Sequence, residues 1–324
     1  MKKLKRNILI LSAGRRVELV VGFQNALARH FPQNKVFATD MHPELSAACV
    51  TSHRGYLAPR VTDSNYIPFL LDVCDQNDIG LVIPTIDTEL MILSKALADF
   101  ERLQVNLVIS DQKLISACRD KRRTNALFET LEIDQPRVYD RNSLEFPCFC
   151  KPYDGSRSIG ALALLTSDML TESILMDERN MFMELIDNTY KEVTIDAYYD
   201  KNGKLRCAVP RERIEVRAGE VSKGITRKGF VYEYLLDKLK YLEGARGCIT
   251  AQVFLNADIQ SIKALEINPR FGGGYPLALA AGADYPDWLI REYFLHEELP
   301  FYEDWESNLM MLRYDAKILV HDED

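Results

Sequence analysis

The sequence predicts a mixed α/β and α+β protein, with an N-terminal doubly wound domain of Rossmann type followed by a two-lobed α+β unit. Three observations carry this. Up to about residue 118, short apolar runs alternate with helical periodicity, the pattern of βαβ units on a parallel sheet. From Asp120 to about Ile186, helices and short strands mix. From Lys191 onward, longer strands with polar faces dominate, and no internal repeat or low-complexity linker interrupts them. The boundaries that follow are 1–118, 119–186 and 187–324.

In order along the chain, NILILSA (7–13), KVFATD (35–40), GLVIPTID (80–87) and NLVIS (106–110) read as strands. Between the first two, Val17, Val20, Val21, Leu27 and Phe31 recur at helical spacing, so 17–30 packs one face on the sheet. The second section reads as helix DKRRTNALFETL, strand FPCFCKP, a loop with Gly155 and Gly160, strand ALALL, helix SDMLTESILM and strand MFMELI. The third gives strands KEVTIDAYYD, KLRCAVPRERIEV, CITAQVFLN and SIKALEINPR, with an amphipathic helix over 231–242.

Composition excludes several classes. The 324 residues are 47% hydrophobic and 27% charged, ordinary for a globular chain, and carry a net charge of −8. Without a basic cluster interleaved with aromatics, a nucleic-acid surface is not expected. MKKLKRNILILSAGRR imitates a signal peptide, but its apolar run stops at Leu11 and Arg15–Arg16 follow. Nothing later reaches the ~18 uninterrupted apolar residues of a membrane span. Seven scattered cysteines fit reduced thiols in the cytoplasm, and Cys148 and Cys150, on one face of a strand without a nearby His, read as packing. A nicotinamide cofactor is disfavoured because only Gly14 stands where a dinucleotide fingerprint needs three glycines. Asp40, His42, Asp87 and Glu89, at the carboxyl ends of strands, are candidates to face a substrate, with a helix N-cap as the competing role for Asp87.

The stretch ALEINPRFGGGYP (264–276) carries the most chemistry. Ala264, Glu266 and Asn268 are expected on one strand face, with Leu265 and Ile267 on the other. A hairpin centred on Ile259 sets Gln252 opposite Glu266 and brings Asn268 onto the same patch. One carboxylate with two amide oxygens is a weak metal site alone, but it suits Mg²⁺ shared with nucleotide phosphates. Arg270 is placed to neutralise a transferring phosphoryl group, and Gly272 to Gly274 let backbone amides approach an anion. An exposed hairpin with a Gly-rich turn is the competing reading.

Taken in order, DK at 120–121, KPYDGSRSIG at 151–160, MELIDNTYKEVTID at 183–196, Gln252 and EINPR at 266–270 resemble the ATP-grasp superfamily, of the carbamoyl-phosphate-synthase large-chain type with a single grasp module. The resemblance spans about 120–300, and residues 1–118 resemble the pre-ATP-grasp domain of that family. It implies ATP with Mg²⁺, or Mn²⁺, held by Gln252, Glu266 and Asn268. It also implies phosphate contacts from Lys121 and a ribose contact from Glu192.

The remaining residues are read on their own chemistry. Lys151 ends an apolar strand ahead of a loop whose Ser156 and Ser158 can close over phosphates, and no GxxxxGK[ST] is present. Glu184, Leu185 and Ile186 present a carboxylate and a strand-end backbone to an adenine edge. Arg211 shares strand parity with Arg213 and is a candidate for phosphate or acyl-phosphate contact, with surface salt bridging as the alternative. The expected activity is ATP-dependent ligation of a small-molecule carboxylate to an amine or ammonia through an acyl phosphate, with Arg270 and Arg211 as catalytic arginines. The alternatives are a bicarbonate- or carbamate-activating enzyme and a regulatory module that holds ATP without turnover. Family members are often dimers, so a homodimer is carried over by resemblance.

Overall fold

A computed structural model describes residues 4–155, 159–217 and 219–321. The expected loop residues Ser156 and Ser158 lie outside the described residues. The first domain is a five-stranded parallel sheet of β1 (Asn7–Ile10), β2 (Val36–Asp40), β3 (Gly55–Leu57), β4 (Ile79–Ile83) and β5 (Asn106–Leu107), in the order β3-β2-β1-β4-β5. Helices α1 (Val17–His30), α2 (Ala47–Thr51), α3 (Tyr66–Gln76), α4 (Asp87–Lys95), α5 (Leu97–Arg102) and α6 (Gln112–Arg119) connect and follow the strands. Both faces of β1 are covered, as a parallel strand requires. Ile8 and Ile10 pack with Leu19, Val20 and Phe23 of α1, whereas Leu9 and Leu11 pack with Tyr66 and Leu70 of α3.

The small lobe begins with α7 (Lys121–Thr130), capped by the Asp120 side chain on the Arg122 amide. Its antiparallel sheet runs β6-β9-β7-β8, from β6 (Val138–Tyr139), β7 (Cys148–Pro152), β8 (Leu162–Leu164) and β9 (Asn180–Glu184). The helix expected over SDMLTESILM is a 3₁₀ turn at Ser167–Met169 followed by α8 (Glu172–Met176). Thr171 accounts for the break, because its side chain caps α8 by accepting from the Ile174 amide. Cys148 and Cys150 are buried with Leu164 and Phe182 in a small core of their own, and all seven cysteines are free thiols.

The third section is a six-stranded antiparallel sheet in the order β14-β13-β10-β11-β12-β15. Its strands are β10 (Lys191–Tyr199), β11 (Leu205–Arg217), β12 (Glu220–Thr226), β13 (Gly247–Asn256), β14 (Ser261–Asn268) and β15 (Met310–Leu312). Helices α9 (Phe230–Leu239), α10 (Tyr275–Ala280) and α11 (Tyr285–Phe294) complete it. One core cluster runs from Ile8 and Phe23 of the first domain through to Ile195 and Val253 of this sheet, so the two units pack as one body. Phe23 meets Phe271 edge-on at 6.0 Å, and Arg29 pairs with Asp284 at 2.5 Å and with Asp287 at 3.0 Å. That packing sets the first domain against the loop after β14. Among the described residues, no helix is long and apolar enough to cross a membrane.

Phe23 is fully buried at this junction. Phe23→Ala is expected to cost ~3–5 kcal/mol, read as a lower urea midpoint. An unchanged midpoint would contradict the shared core.

Candidate active site

The site is built on one face of the six-stranded sheet. Glu192, Thr194 and Asp196 of β10 stand opposite Phe254, Gln252 and Thr250 of β13. Gln252 in turn stands opposite Glu266, and Thr250 opposite Asn268. Alternation along each strand therefore puts Gln252, Glu266 and Asn268 on one surface, all partly exposed. Asn268 donates its amide to the Glu266 carboxylate at 2.8 Å, which holds the two side chains together.

Ala264 does not share that face. Val253 pairs with Ala264 while Gln252 pairs with Glu266, so Leu265 is an extra residue without a partner. This β-bulge reverses strand parity. Ile262 and Ala264 are buried before it and Ile267 after it. The pairing expected from the hairpin centre holds at Gln252 and Thr250 and is offset by one residue nearer the turn.

The donors are all oxygens, with a single carboxylate. Among the described residues, no group of three or more His, Cys, Asp or Glu side chains is arranged to hold a metal. Such a set fits a hard cation that shares its remaining positions with phosphates. Gln252 Oε1 also accepts from Arg213 Nη1 at 3.4 Å, and the same nitrogen bonds Glu192. The burial of Glu192 raises its carboxyl pKa, with Arg213 acting against the rise.

Two lysines face this patch from the small lobe. Lys151 on β7 is only 9% exposed, and its ammonium, which reaches the solvent boundary, has no hydrogen-bond or ion-pair partner among the described residues. Burial, then repulsion from Lys121, pushes its pKa down to about 8, while Glu266 pulls upward. Lys121, the first residue of α7, donates to the Gly155 carbonyl at 2.5 Å, and burial lowers its pKa too, again opposed by Glu266. A buried, unpaired ammonium is costly unless an anion joins it. Two lysines and one carboxylate from opposite lobes thus frame a place for phosphate and metal.

Arg270 follows β14 and forks onto Asp87 of the first domain, with Nη2 at 2.7 Å and Nε at 3.2 Å from both carboxylate oxygens. Asp87 is therefore the first residue of α4 and an ion-pair partner; Ile86 occupies the N-cap position. Glu89, expected to face a substrate, is turned inward, accepting from Ser12, Tyr66 and the amides of Thr85 and Ile86. Asp40 accepts from the amides of Gly14 and His42, and His42 lies at the surface near Glu44.

The candidate anion contact Arg211 is corrected by its burial. Its side chain is 2% exposed and forks onto the fully buried Asp196, Nε to Oδ2 at 2.6 Å and Nη2 to Oδ1 at 3.2 Å. It does share a sheet face with Arg213, but each arginine is paired with a different carboxylate. Gly274 lies directly over it: a Cβ there would come within 2.3 Å of Arg211 Nη1. Arg211 thus supports the glycine loop from beneath. The Glu184 carboxylate is likewise engaged, by the Arg137 amide at 3.2 Å and by the Lys263 ammonium, so an incoming adenine amine would have to displace one of them. Leu185 and Ile186 leave the sheet directly after it, outside any strand.

Sequence reasoning missed Arg16. It donates to the Thr85 carbonyl at 2.9 Å and the Phe271 carbonyl at 3.2 Å. The signal available was its place in the loop after β1, at the carboxyl end of a central parallel strand.

Comparison with known proteins agrees with this architecture. Residues 8–108 match a family described as the PylC-like N-terminal domain, and residues 177–312 match one described as ATP-grasp in the biosynthetic pathway with Ter operon. These matches give a PylC-like N-terminal domain followed by an ATP-grasp domain. Among solved structures, the biotin carboxylase domain dimer of Hydrogenobacter thermophilus 2-oxoglutarate carboxylase, in complex with MgADP, ADP and bicarbonate, superposes with a TM-score of 0.71 at 14% identity, covering 94% of this chain and 73% of that one. N5-carboxyaminoimidazole synthetase from Staphylococcus aureus, complexed with ADP, gives 0.70 at 17% identity, covering 92% and 79%. The L-amino acid ligase from Bacillus licheniformis gives 0.66 at 14%, covering 90% and 75%. Identities this low establish the shared fold. No curated protein matched the sequence.

The depressed Lys151 pKa of about 8 has a consequence for nucleotide binding. With Lys151 on phosphate as expected, the charged form is the binding form, so affinity for MgATP should be level near neutrality and fall as pH rises through about 8 and the ammonium loses its proton. Calorimetry across that range checks it, with Lys151→Arg expected to flatten the profile. A wild-type affinity independent of pH would contradict the placement of Lys151 on phosphate.

Proposed function

We propose that this protein is an ATP-dependent, ADP-forming ligase that joins a small-molecule carboxylate to an amine or ammonia. The observation that carries the reading is the convergence of Lys121 and Lys151 from one lobe on Glu266 from the other. An unpaired buried cation beside a lone carboxylate suits a polyphosphate and its metal better than it suits either lobe alone.

In this reading Lys121 and Lys151 hold the phosphates, while Gln252, Glu266 and Asn268 hold Mg²⁺, or Mn²⁺ in its place. The metal, when bound, supplies charge neutralisation between the transferring phosphoryl group and the leaving diphosphate. Arg270, fixed by Asp87, is assigned to the acyl-phosphate region. A carboxylate oxygen of the acid attacks the γ-phosphorus, the bond to the β-phosphate oxygen breaks, and ADP leaves. The amine nitrogen then attacks the acyl carbon, inorganic phosphate departs with the C–O bonding pair, and the nitrogen releases a proton to water. No side-chain nucleophile is needed, so catalysis rests on positioning and electrostatics.

Bicarbonate as the acid is a second reading, supported by the bicarbonate held in the superposing biotin carboxylase domain. The proposal includes a division at 1–118, 119–186 and 187–324, a reducing, cytoplasmic setting for seven free thiols, and a homodimer on the model of that domain dimer. Glu184, Leu185, Ile186 and Glu192 are assigned to the nucleoside. For Glu184 this requires its lysine or amide partner to yield.

An ADP-release screen over amino acids, small carboxylates and bicarbonate, with and without amines, tests the activity. Turnover is expected only with a particular acid, and Glu266→Ala is expected to lower it at least ~100-fold. Full turnover in the variant would remove the metal assignment.

A further inference from the structure

The first sheet changes winding direction between β1 and β4, the place where open parallel sheets bind ligands, and the loops at their carboxyl ends, 11–16 and 84–87, meet there, with Thr85 Oγ1 donating to the Leu11 and Ser12 carbonyls. Arg16 lies in the first loop and is gripped from two sides, by the Thr85 carbonyl at 2.9 Å and by the Phe271 carbonyl at 3.2 Å. Arg270 donates Nη1 to that same Phe271 oxygen at 3.2 Å. Two guanidinium groups therefore meet at one backbone oxygen. Asp87 is the single carboxylate in direct contact with the pair, and it is taken up by Arg270.

Among the described residues, Arg16 has no carboxylate within ion-pair distance. The nearby acids are engaged elsewhere: Glu220 with Arg313 at 3.4 Å and Arg15 at 3.8 Å, and Glu89 with Ser12, Tyr66 and two backbone amides. Carbonyl oxygens orient a guanidinium without cancelling its charge. Burial, together with repulsion from Arg270, pushes the Arg16 pKa down to about 10. The Arg16 charge is thus met by no carboxylate in direct contact.

We propose that Arg16 binds the carboxylate of the acid substrate, where the joined loops after β1 and β4 meet the glycine loop after β14. Both Arg16 hydrogen bonds use the terminal nitrogens, so Nε–H has no acceptor among the described residues and one edge of the fork remains for a carboxylate. The glycine loop contributes as well. Its carbonyls at Phe271 and Gly273 are held by Arg16, Arg270 and Arg313, while the amides of Gly272 and Gly273 have no protein acceptor among the described residues. An acid seated there lies against Arg270, two residues beyond Asn268, at the phosphoryl end of the cleft. The inference rests on the ligase reading for the identity of its ligand.

The test uses the full chain with MgADP bound. Saturation-transfer NMR is run with acetate, succinate, L-glutamate, L-lysine and glycerol 3-phosphate, and MgADP affinity is measured separately by calorimetry. Wild type is expected to take at least one carboxylate. Arg16→Gln, which keeps a polar side chain but carries no charge, is expected to weaken it at least ~30-fold, whereas Arg16→Lys keeps most of it and MgADP affinity is unchanged in both. Equal carboxylate binding in Arg16→Gln, signal from glycerol 3-phosphate alone, or no carboxylate bound by wild type overturns the assignment. Failure of wild type to bind MgADP sinks the ligase reading itself.

Discussion

The register between β13 and β14 is the constraint on which the site depends. Gln252 opposite Glu266 and Thr250 opposite Asn268 place three oxygen-bearing side chains on one face. A slip of one residue would turn that whole set into the core. The bulge at Leu265 reconciles two demands on one strand: Ile262 and Ala264 are buried near the turn, and Glu266 and Asn268 face the cleft beyond it. Without the extra residue, one strand could not bury its first half and expose carboxylate and amide in its second on these positions.

A second organising feature is how buried cations are matched. Arg211 with Asp196, and Arg270 with Asp87, are complete ion pairs whose guanidinium groups hold the glycine loop and the two domains in place. Breaking such a pair strands a buried charge, so these arginines are architectural before they are anything else. Lys151 and Arg16 differ, because neither has a carboxylate of its own among the described residues. Their unmet charges lie on either side of Glu266 and Arg270. In the proposed reading, Lys151 marks the phosphate end of the cleft and Arg16 its acid end.

Much of this was legible in the chain. The switch from short apolar runs to longer, polar-faced strands announced the parallel sheet and the antiparallel one, and the NADIQ turn was enough to pair Gln252 with Glu266. The bulge was not legible, since nothing in ALEIN distinguishes continuous alternation from alternation with one residue inserted. The pairing of Arg211 was hidden because its partner, Asp196, lies on a neighbouring strand and looks in sequence like one more polar residue of a half-exposed face. The partner of Glu184 was hidden for the same reason: Lys263 reaches its carboxylate from a strand almost eighty residues away. Arg16 shows the opposite limit, a residue whose surroundings only the packing of Phe271 against the first domain reveals.

The most direct test of the central claim counts Mn²⁺ by electron paramagnetic resonance as it binds the protein with and without ATP. A site made of one carboxylate and two amides, completed by phosphates, predicts weak binding of the ion alone, tight binding once nucleotide is present, and loss of that tight binding in Glu266→Gln. Tight binding without nucleotide, or binding unchanged by the substitution, would contradict the account.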